Sequence, residues 1–456
     1  MQHLHFEYGP IDITPGQNNI AISGFDVPKP TEDGFILGIA PNIRRLDGSV
    51  PPVDVVHLHH GVWLNTSRTD ATRTYLPERF FAAGEEKTNL QLPEGFGYPY
   101  KATDAWLINY MLHNLTPDPD QVRITYDIDF LPASSPSASS LRTVRPLWLD
   151  VVNGHVYPVF DALRGSGEDG RFTYPDHAAG APTDNEWVVD RAMVLVSTGG
   201  HLHPGGLYND LDVVRGTARA RLFRSEAHYY EPAGAVSWDV SMTVTNDDWR
   251  VAVQPGDVLR VSTTYDTARA SWYESMGIMV VWAADGTDGA DPFVTQVDAP
   301  GRLTHGHLPE NDNHGGEGTE AKQPEQLVAG PAPTGQVGIV DFTYGAGDLT
   351  IKTTQTRPVL QAGQSMTFRN DDQSQATPIW HTITACKAPC NGATGIAYPL
   401  ADGDIQFDSG ELGTGGPPTA DRLTWSTPSD LPTGMYTYFC RIHPFMRGAF
   451  EVASTK

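Results

Sequence analysis

Cysteine is scarce in this chain: three residues in 456, and none before Cys386. The first 385 residues therefore hold no disulfide framework. Positive charge is scarce too. Lys and Arg number 31 against 55 Asp and Glu, a formal net charge of −24, so nucleic acid and anionic membrane surfaces drop out as partners. No apolar run reaches the ~18 residues of a membrane-spanning helix. Long stretches of helical periodicity are missing as well. With 45 Gly and 36 Pro, that absence predicts an all-β chain of short strands and many turns.

At 456 residues the chain is long enough for two to four domains. Residues 301–335 contain no aromatic residue and no Ile, cannot bury a core, and read as a linker. Beyond it, residues 336–456 carry strand-like runs such as Val337–Thr343, Ser365–Arg369, His381–Thr384 and Met435–Phe439, enough for one small sandwich. Before it, Val53–His59, Val122–Phe130, Ala192–Ser197, Ala218–Phe223 and Val258–Tyr265 have the same style. Three hundred such residues predict two packed sandwiches, 1–170 and 171–300, divided in the Gly/Pro/Asp-rich stretch 163–187.

The sharpest motif is Cys440-Arg-Ile-His443-Pro-Phe-Met446, directly after the aromatic strand Met435–Phe439. A blue-copper centre needs two imidazoles and a thiolate in a plane with a weak axial thioether. A tight loop with this spacing supplies three of these donors, and His381 on an earlier strand supplies the fourth. The region resembles the cupredoxins, and the loop is similar to the short ligand loop of amicyanin. That resemblance implies a Greek-key sandwich holding type 1 copper. Two features depart from it. Cys386 and Cys390 are close enough to pair as a disulfide, with a second metal the alternative, and residues 392–425 form an insertion near the site. A disulfide places the protein in an oxidising compartment. The start, Met1-Gln2-His3-Leu4-His5, shows neither the basic segment nor the apolar core of a signal peptide. The expectation is an extracytoplasmic protein, secreted, periplasmic or at the cell surface, whose export signal has been removed.

The histidines of the N-terminal part are grouped: His57-Leu-His59-His60-Gly-Val-Trp and Gly199-Gly-His201-Leu-His203. On a strand, residues two apart share a face, so His201 and His203 can grip one ion. His113 ends an apolar strand, and Met276 lies in another apolar segment, where a methionine is ordinarily core. Together these residues resemble the copper type II ascorbate-dependent monooxygenases, the family of peptidylglycine α-hydroxylating and dopamine β-monooxygenases, and the related stress-upregulated nodulin-type domain. The resemblance implies two tandem jelly-roll-type β-sandwiches. It implies one electron-storing copper on His59, His60 and His113, and one O2-binding copper on His201, His203 and Met276. Regular alternation puts His57 and His59 on one strand face and His60 on the other, so pairing His59 with His60 requires a bulge; His57 is the alternate ligand. The chain departs from the family in having no cysteine here. It also has Gly199, Ile278 and Val280 where the peptide-amidating members hold the substrate carboxylate, which excludes a glycine-extended peptide. The neighbourhood of Met276, with Trp272, Tyr273, Ile278, Met279 and Val280, points to an apolar or aromatic substrate.

These readings imply up to three coppers per chain, with O2 and a small molecule as substrates. They also imply an outside electron donor, ascorbate or a redox protein, feeding the blue-copper domain, with His443 at that domain's exposed end as the exit for the electron. Two other classes fit the motifs: an electron-transfer protein without catalysis, and a copper reductase or oxidase acting on nitrite or O2. An oligomer is left open. His305, His307 and His314 in the linker read as solvated, and copper affinity is expected to weaken below roughly pH 6.5, where ordinary imidazoles protonate.

Overall fold

The computed structural model describes all residues except 231–233, 312–320, 351–354, 373–378, 387–404, 415–420 and 455–456. Among the described residues there is no α-helix; strands and three short 3₁₀ turns make up the regular structure. The all-β class, two tandem sandwiches followed by a smaller one, is the fold observed.

In the first sandwich the strands Gln2–Ile13, Asp120–Pro132, Gly34–Arg45 and Phe96–Tyr100 form one sheet, and Asn18–Ile22, Trp106–Asn114, Val56–Thr69 and Pro77–Gly84 form the other. Setting aside the two-residue strand Leu90–Gln91, the sheet orders are one-eight-three-six and two-seven-four-five, a jelly roll of two Greek keys. Ile36, Ile128 and Phe130 from one sheet meet Trp63, Trp106 and Ile108 from the other in its core.

Strand Arg142–Asp150 pairs in parallel with Phe96–Tyr100 on one side and antiparallel with Ile278–Asp285 on the other. Ile278–Asp285 in turn pairs with Met193–His201. These three strands form a wall shared by two cores: Val194, Val196, Trp282 and Ala284 face the first, while Leu195, Met279, Val281 and Ala283 face the second. Burial on both faces is why these segments are continuous apolar runs rather than alternating ones. A wall common to two cores leaves no polar seam in the sequence between the sandwiches.

The third unit packs the sheet Ala329–Pro331, Arg357–Gln361, Arg447–Ala453, Gly434–Phe439, Thr384–Cys386 and Phe407–Asp408 on the sheet Thr343–Tyr344, Val337–Val340, Thr367–Asn370 and Thr424–Ser426. Its core includes Ile339, Leu360, Phe368, Tyr438 and Phe450. The segment 301–335 differs from a free linker. Arg302–Leu303 pairs with Val240–Val244, Asn311 accepts a hydrogen bond from the Val53 amide, and Ala329–Pro331 joins the third unit's sheet. These attachments run mostly through the backbone, which is why an absence of core residues did not reveal them. His305 and His307 lie in its described part; His314 and Cys390 lie outside the described residues, and so does the proposed Cys386–Cys390 pairing.

Candidate metal centres

In the third unit the chain turns back after strand Gly434–Phe439. The Cys440 amide donates to the Met446 carbonyl and the Met446 amide to the His443 carbonyl, closing the loop. Cys440 Sγ lies 3.8 Å from His381 Nδ1 and 3.5 Å from His443 Nδ1. All four residues, Met446 included, are buried. The outer nitrogen of each imidazole is held: His381 Nε2 by Asp372 at 2.7 Å and His443 Nε2 by the Gly16 carbonyl at 3.0 Å. The Thr382 amide donates to the sulfur at 3.3 Å. Burial works against charging His381, but Asp372 and Cys440 outweigh it and raise its pKa. The four donors and their held orientation fit a type 1 copper ion.

His443 is not at an exposed end. Its partner Gly16 belongs to the first sandwich, and the ligand loop packs onto that sandwich. A Cβ on Gly16, whose φ is +60°, would lie 2.4 Å from Phe342 Cε1 and 3.0 Å from His443 Cδ2, so only glycine permits this approach. Beside it, His113 Nε2 donates to the Ile442 carbonyl at 2.9 Å. Arg441 donates to the Ser271 carbonyl and to Asp408 and stacks over Trp272 and Tyr273. A loop motif read alone carries no information about what covers it.

The N-terminal histidines gather where the two jelly-roll-side sheets meet. Strand Val56–Thr69 is bulged: Leu58 pairs with Leu112, His60 with Met111, and His59 is the extra residue. Val56, Leu58 and Trp63 stay in the first core. His57, His59 and His60 are thereby all placed on the face opposite it, as the adjacent pair required. His57, the alternate, stands directly across the strand pair from His113, with ring centroids 5.0 Å apart. From the second sandwich, Leu202 enters its own core, which turns His201 and His203 toward the first. The ring of His203 lies 4.2 Å from that of His59 and 5.1 Å from that of His201. Trp238, which no sequence pattern singled out, sits among His57, His59, His113 and His203 at 4.6 to 6.0 Å.

The residues of the two expected ligand sets lie side by side. His203 is beside His59. His201 turns its Nδ1 to Glu86 at 2.9 Å. Met276 packs with Trp148, Val159 and Ile278, and Tyr157 packs against that cluster. A single hydroxyl ties the second set together: Tyr265 accepts from the amides of His203 and Met276 and donates to the Met276 carbonyl.

Imidazole chemistry carries the case for metal in this array. His57 Nδ1 donates to the Val53 carbonyl, His113 Nε2 to Ile442 and His203 Nδ1 to the Glu274 carbonyl. Each is neutral: burial holds the pKa values of His57 and His203 well below 6.5 and lowers that of His113 to about 4. Their other nitrogens, His57 Nε2, His113 Nδ1 and His203 Nε2, then carry lone pairs, and all three are buried without a hydrogen-bond partner. So are His59 Nδ1, His60 Nδ1 and His201 Nε2. Leaving a buried polar atom unpaired costs about 1–3 kcal/mol. Six such atoms approach the ~5–15 kcal/mol that holds a whole domain folded. One nitrogen anchored and the other free, as in His57, His113 and His203, is the arrangement of ligating histidines, and with His59 these residues fit copper. Proton competition, expected from pH 6.5 downward, moves lower here, because burial takes His113 to about 4 and His60 to about 3. Three donors close within 4.8 Å of one another in two groups among the described residues: His381–Cys440–His443 and Glu85–Glu86–His201.

Between the array and the third unit lies a cavity of about 100 Å³, lined by His59, His113, His203, Trp238, Trp272, Tyr273, Glu274, Glu411, Arg441 and Ile442. Of the residues expected around the substrate, Trp272 and Tyr273 face it, whereas Met279 is in the second core. Glu274, in a left-handed backbone conformation at φ +51°, has its pKa raised by burial and by Glu411 and Asp161.

No protein-family model and no curated protein matches this sequence. Among solved structures, a variant of amicyanin in its Cu(I) form is similar at 17% identity over 30% of this chain and 95% of that one, with a TM-score of 0.17. A Cu-containing nitrite reductase from Thermus scotoductus SA-01 is similar at 12% identity over 59% of each chain, TM-score 0.18. The VP2 subviral particle of infectious bursal disease virus is similar at 9% identity over 63% of this chain and 73% of that one, TM-score 0.19. With scores this low, the fold rests on the strand pairing described above.

Proposed function

We propose that this chain is a copper oxidoreductase in which the type 1 site feeds electrons to copper held by the imidazoles between the first two sandwiches. The observation that carries this reading is the hydrogen bond from His113 to the Ile442 carbonyl. It joins the blue-site loop, two residues from Cys440, to a histidine whose free nitrogen belongs to the array. His113 is also close enough to act electrostatically on His443. His381, Cys440, His443 and Met446 would hold the type 1 ion, and His57, His59, His113 and His203 the second centre. Bound there, copper supplies one-electron transfer and the reduction of O2. Arg441 keeps the loop seated through Ser271, Trp272 and Tyr273, and the packed sandwiches keep bulk water from the imidazoles. The resemblance to the ascorbate-dependent monooxygenases makes hydroxylation of a substrate C–H bond the reaction of choice. It consumes O2, two electrons from an outside donor and two protons, and yields alcohol and water. The cavity is well below the ~300–1,000 Å³ of sites for drug-sized ligands, so the substrate is small. Glu274 and Glu411, which line it, are placed to pass protons.

That same small, acid-lined cavity favours a second reading, reduction of O2 or nitrite with no organic substrate. Metal analysis, with turnover in ¹⁸O2 and an ascorbate donor, separates these readings. Label in an organic product supports hydroxylation, and label in water alone supports the second reading. Copper at the type 1 site only, with no O2 or nitrite consumed, contradicts both.

A further inference from the structure

We propose that Glu85, Glu86 and His201 form a separate cation site, one that takes a hard or borderline divalent ion such as Mn²⁺ or Zn²⁺ rather than Cu(I). Glu85 and Glu86 directly follow strand Pro77–Gly84, and His201 reaches them from the second sandwich. Their donor atoms lie within 4.8 Å of one another, and all three residues are buried.

Three further observations point to a ligand. Both carboxylate oxygens of Glu85 are buried and without a hydrogen-bond partner, as is His201 Nε2. Lys87, the adjacent cation, is committed to Glu310 at 3.1 Å. The space is kept open by a glycine: a Cβ on Gly84 would lie 2.7 Å from His201 Cε1 and 2.8 Å from Glu86 Oε2. His60, which pairs with Gly84 across the sheet, has its Nδ1 free and is the natural fourth donor. Glu86 is met by the Gly84 amide and His201 Nδ1, but Glu85 has no such partner, and a buried carboxylate left so is expensive; a divalent ion answers it. A donor set of oxygen and imidazole nitrogen, with neither thiolate nor thioether, selects divalent ions over Cu(I). Because its donors come from both sandwiches, the ion also ties the two together.

The test uses the full chain loaded with copper and kept reduced, so that copper gives no paramagnetic signal, and titrated with Mn²⁺. Loss of the aqueous Mn²⁺ resonance counts the ion taken up. The expected result is one equivalent bound by the wild type and at least ten-fold weaker uptake by Glu85→Gln. Copper content and, after reoxidation, the blue band should be unchanged in that variant. Absence of Mn²⁺ uptake by the wild type overturns the proposal, whatever the variants do. So does unchanged uptake by both Glu85→Gln and Glu86→Gln, or loss of copper in place of Mn²⁺. Should Glu85→Gln fail to fold, seen as loss of the blue band, Glu86→Gln and the wild-type titration decide. A chain that holds copper at the type 1 site alone would defeat the proposed function and leave this titration readable.

Discussion

The two regions proposed to bind copper are built in opposite ways. At the type 1 site three of four donors come from seven consecutive residues, and the loop closes on itself through the Cys440–Met446 and Met446–His443 backbone bonds. The imidazole array draws on two strands of the first sandwich and the turn after a strand of the second, and it exists only because those sandwiches pack. A local site owes its geometry to a turn, whereas a distributed one owes it to an interface. The first should therefore survive changes that loosen the second.

The largest expected effect breaks the comparison at the local end. Cys440→Ser should remove the whole thiolate-to-copper absorption while copper stays bound at the array, as metal analysis would show. A blue band that persists would contradict the assignment. Next comes the contact between the regions. Gly16→Val places a branched side chain against Phe342 and His443 at a positive φ, and overpacking of this kind costs about 1–3 kcal/mol. The blue band should survive and the midpoint of chemical unfolding should fall. An unchanged midpoint would mean that the loop does not seat on the first sandwich.

At the distributed end, Tyr265→Phe removes the hydroxyl that meets three backbone groups of His203 and Met276. Buried groups left unpaired cost about 1–3 kcal/mol. Copper affinity of the array should drop and the blue spectrum should not change; equal loss at both sites would contradict the separation. The last effect is one of pH. Unfolded, an imidazole protonates near pH 6.5; folded, His113 does so only at about 4 and His60 at about 3. Between those values the unfolded chain binds more protons, so the metal-free protein should lose stability as pH falls from about 6.5 toward 4. Urea midpoints at pH 7.5, 6 and 5 should decline in that order, and a flat series would show that these histidines are not buried.

What could be read beforehand follows the same division. The ligand loop was legible because its spacing is its geometry. His201 and His203 were legible because alternation puts residues two apart on one face. The bulge at His59 could be inferred only as a need, since nothing in Leu58-His59-His60 marks an extra residue. Trp238, Tyr265, Glu85 and Glu86 carried no signal: each reaches its place through tertiary packing, and a buried Glu-Glu pair reads in sequence like a solvated turn. The burial of His443 under Gly16 was illegible for the same reason, since a contact across 427 residues leaves no local pattern.

The most direct test of the central claim is to reduce the type 1 site rapidly in copper-loaded protein without O2 and follow the return of the blue colour as the electron moves on. Recovery should be first order, independent of protein concentration, and strongly slowed or abolished in His113→Ala, which removes both a donor of the array and its bond to the Ile442 carbonyl. Recovery that scales with protein concentration, or that His113→Ala leaves untouched, would contradict an internal path from the blue site to the histidine array.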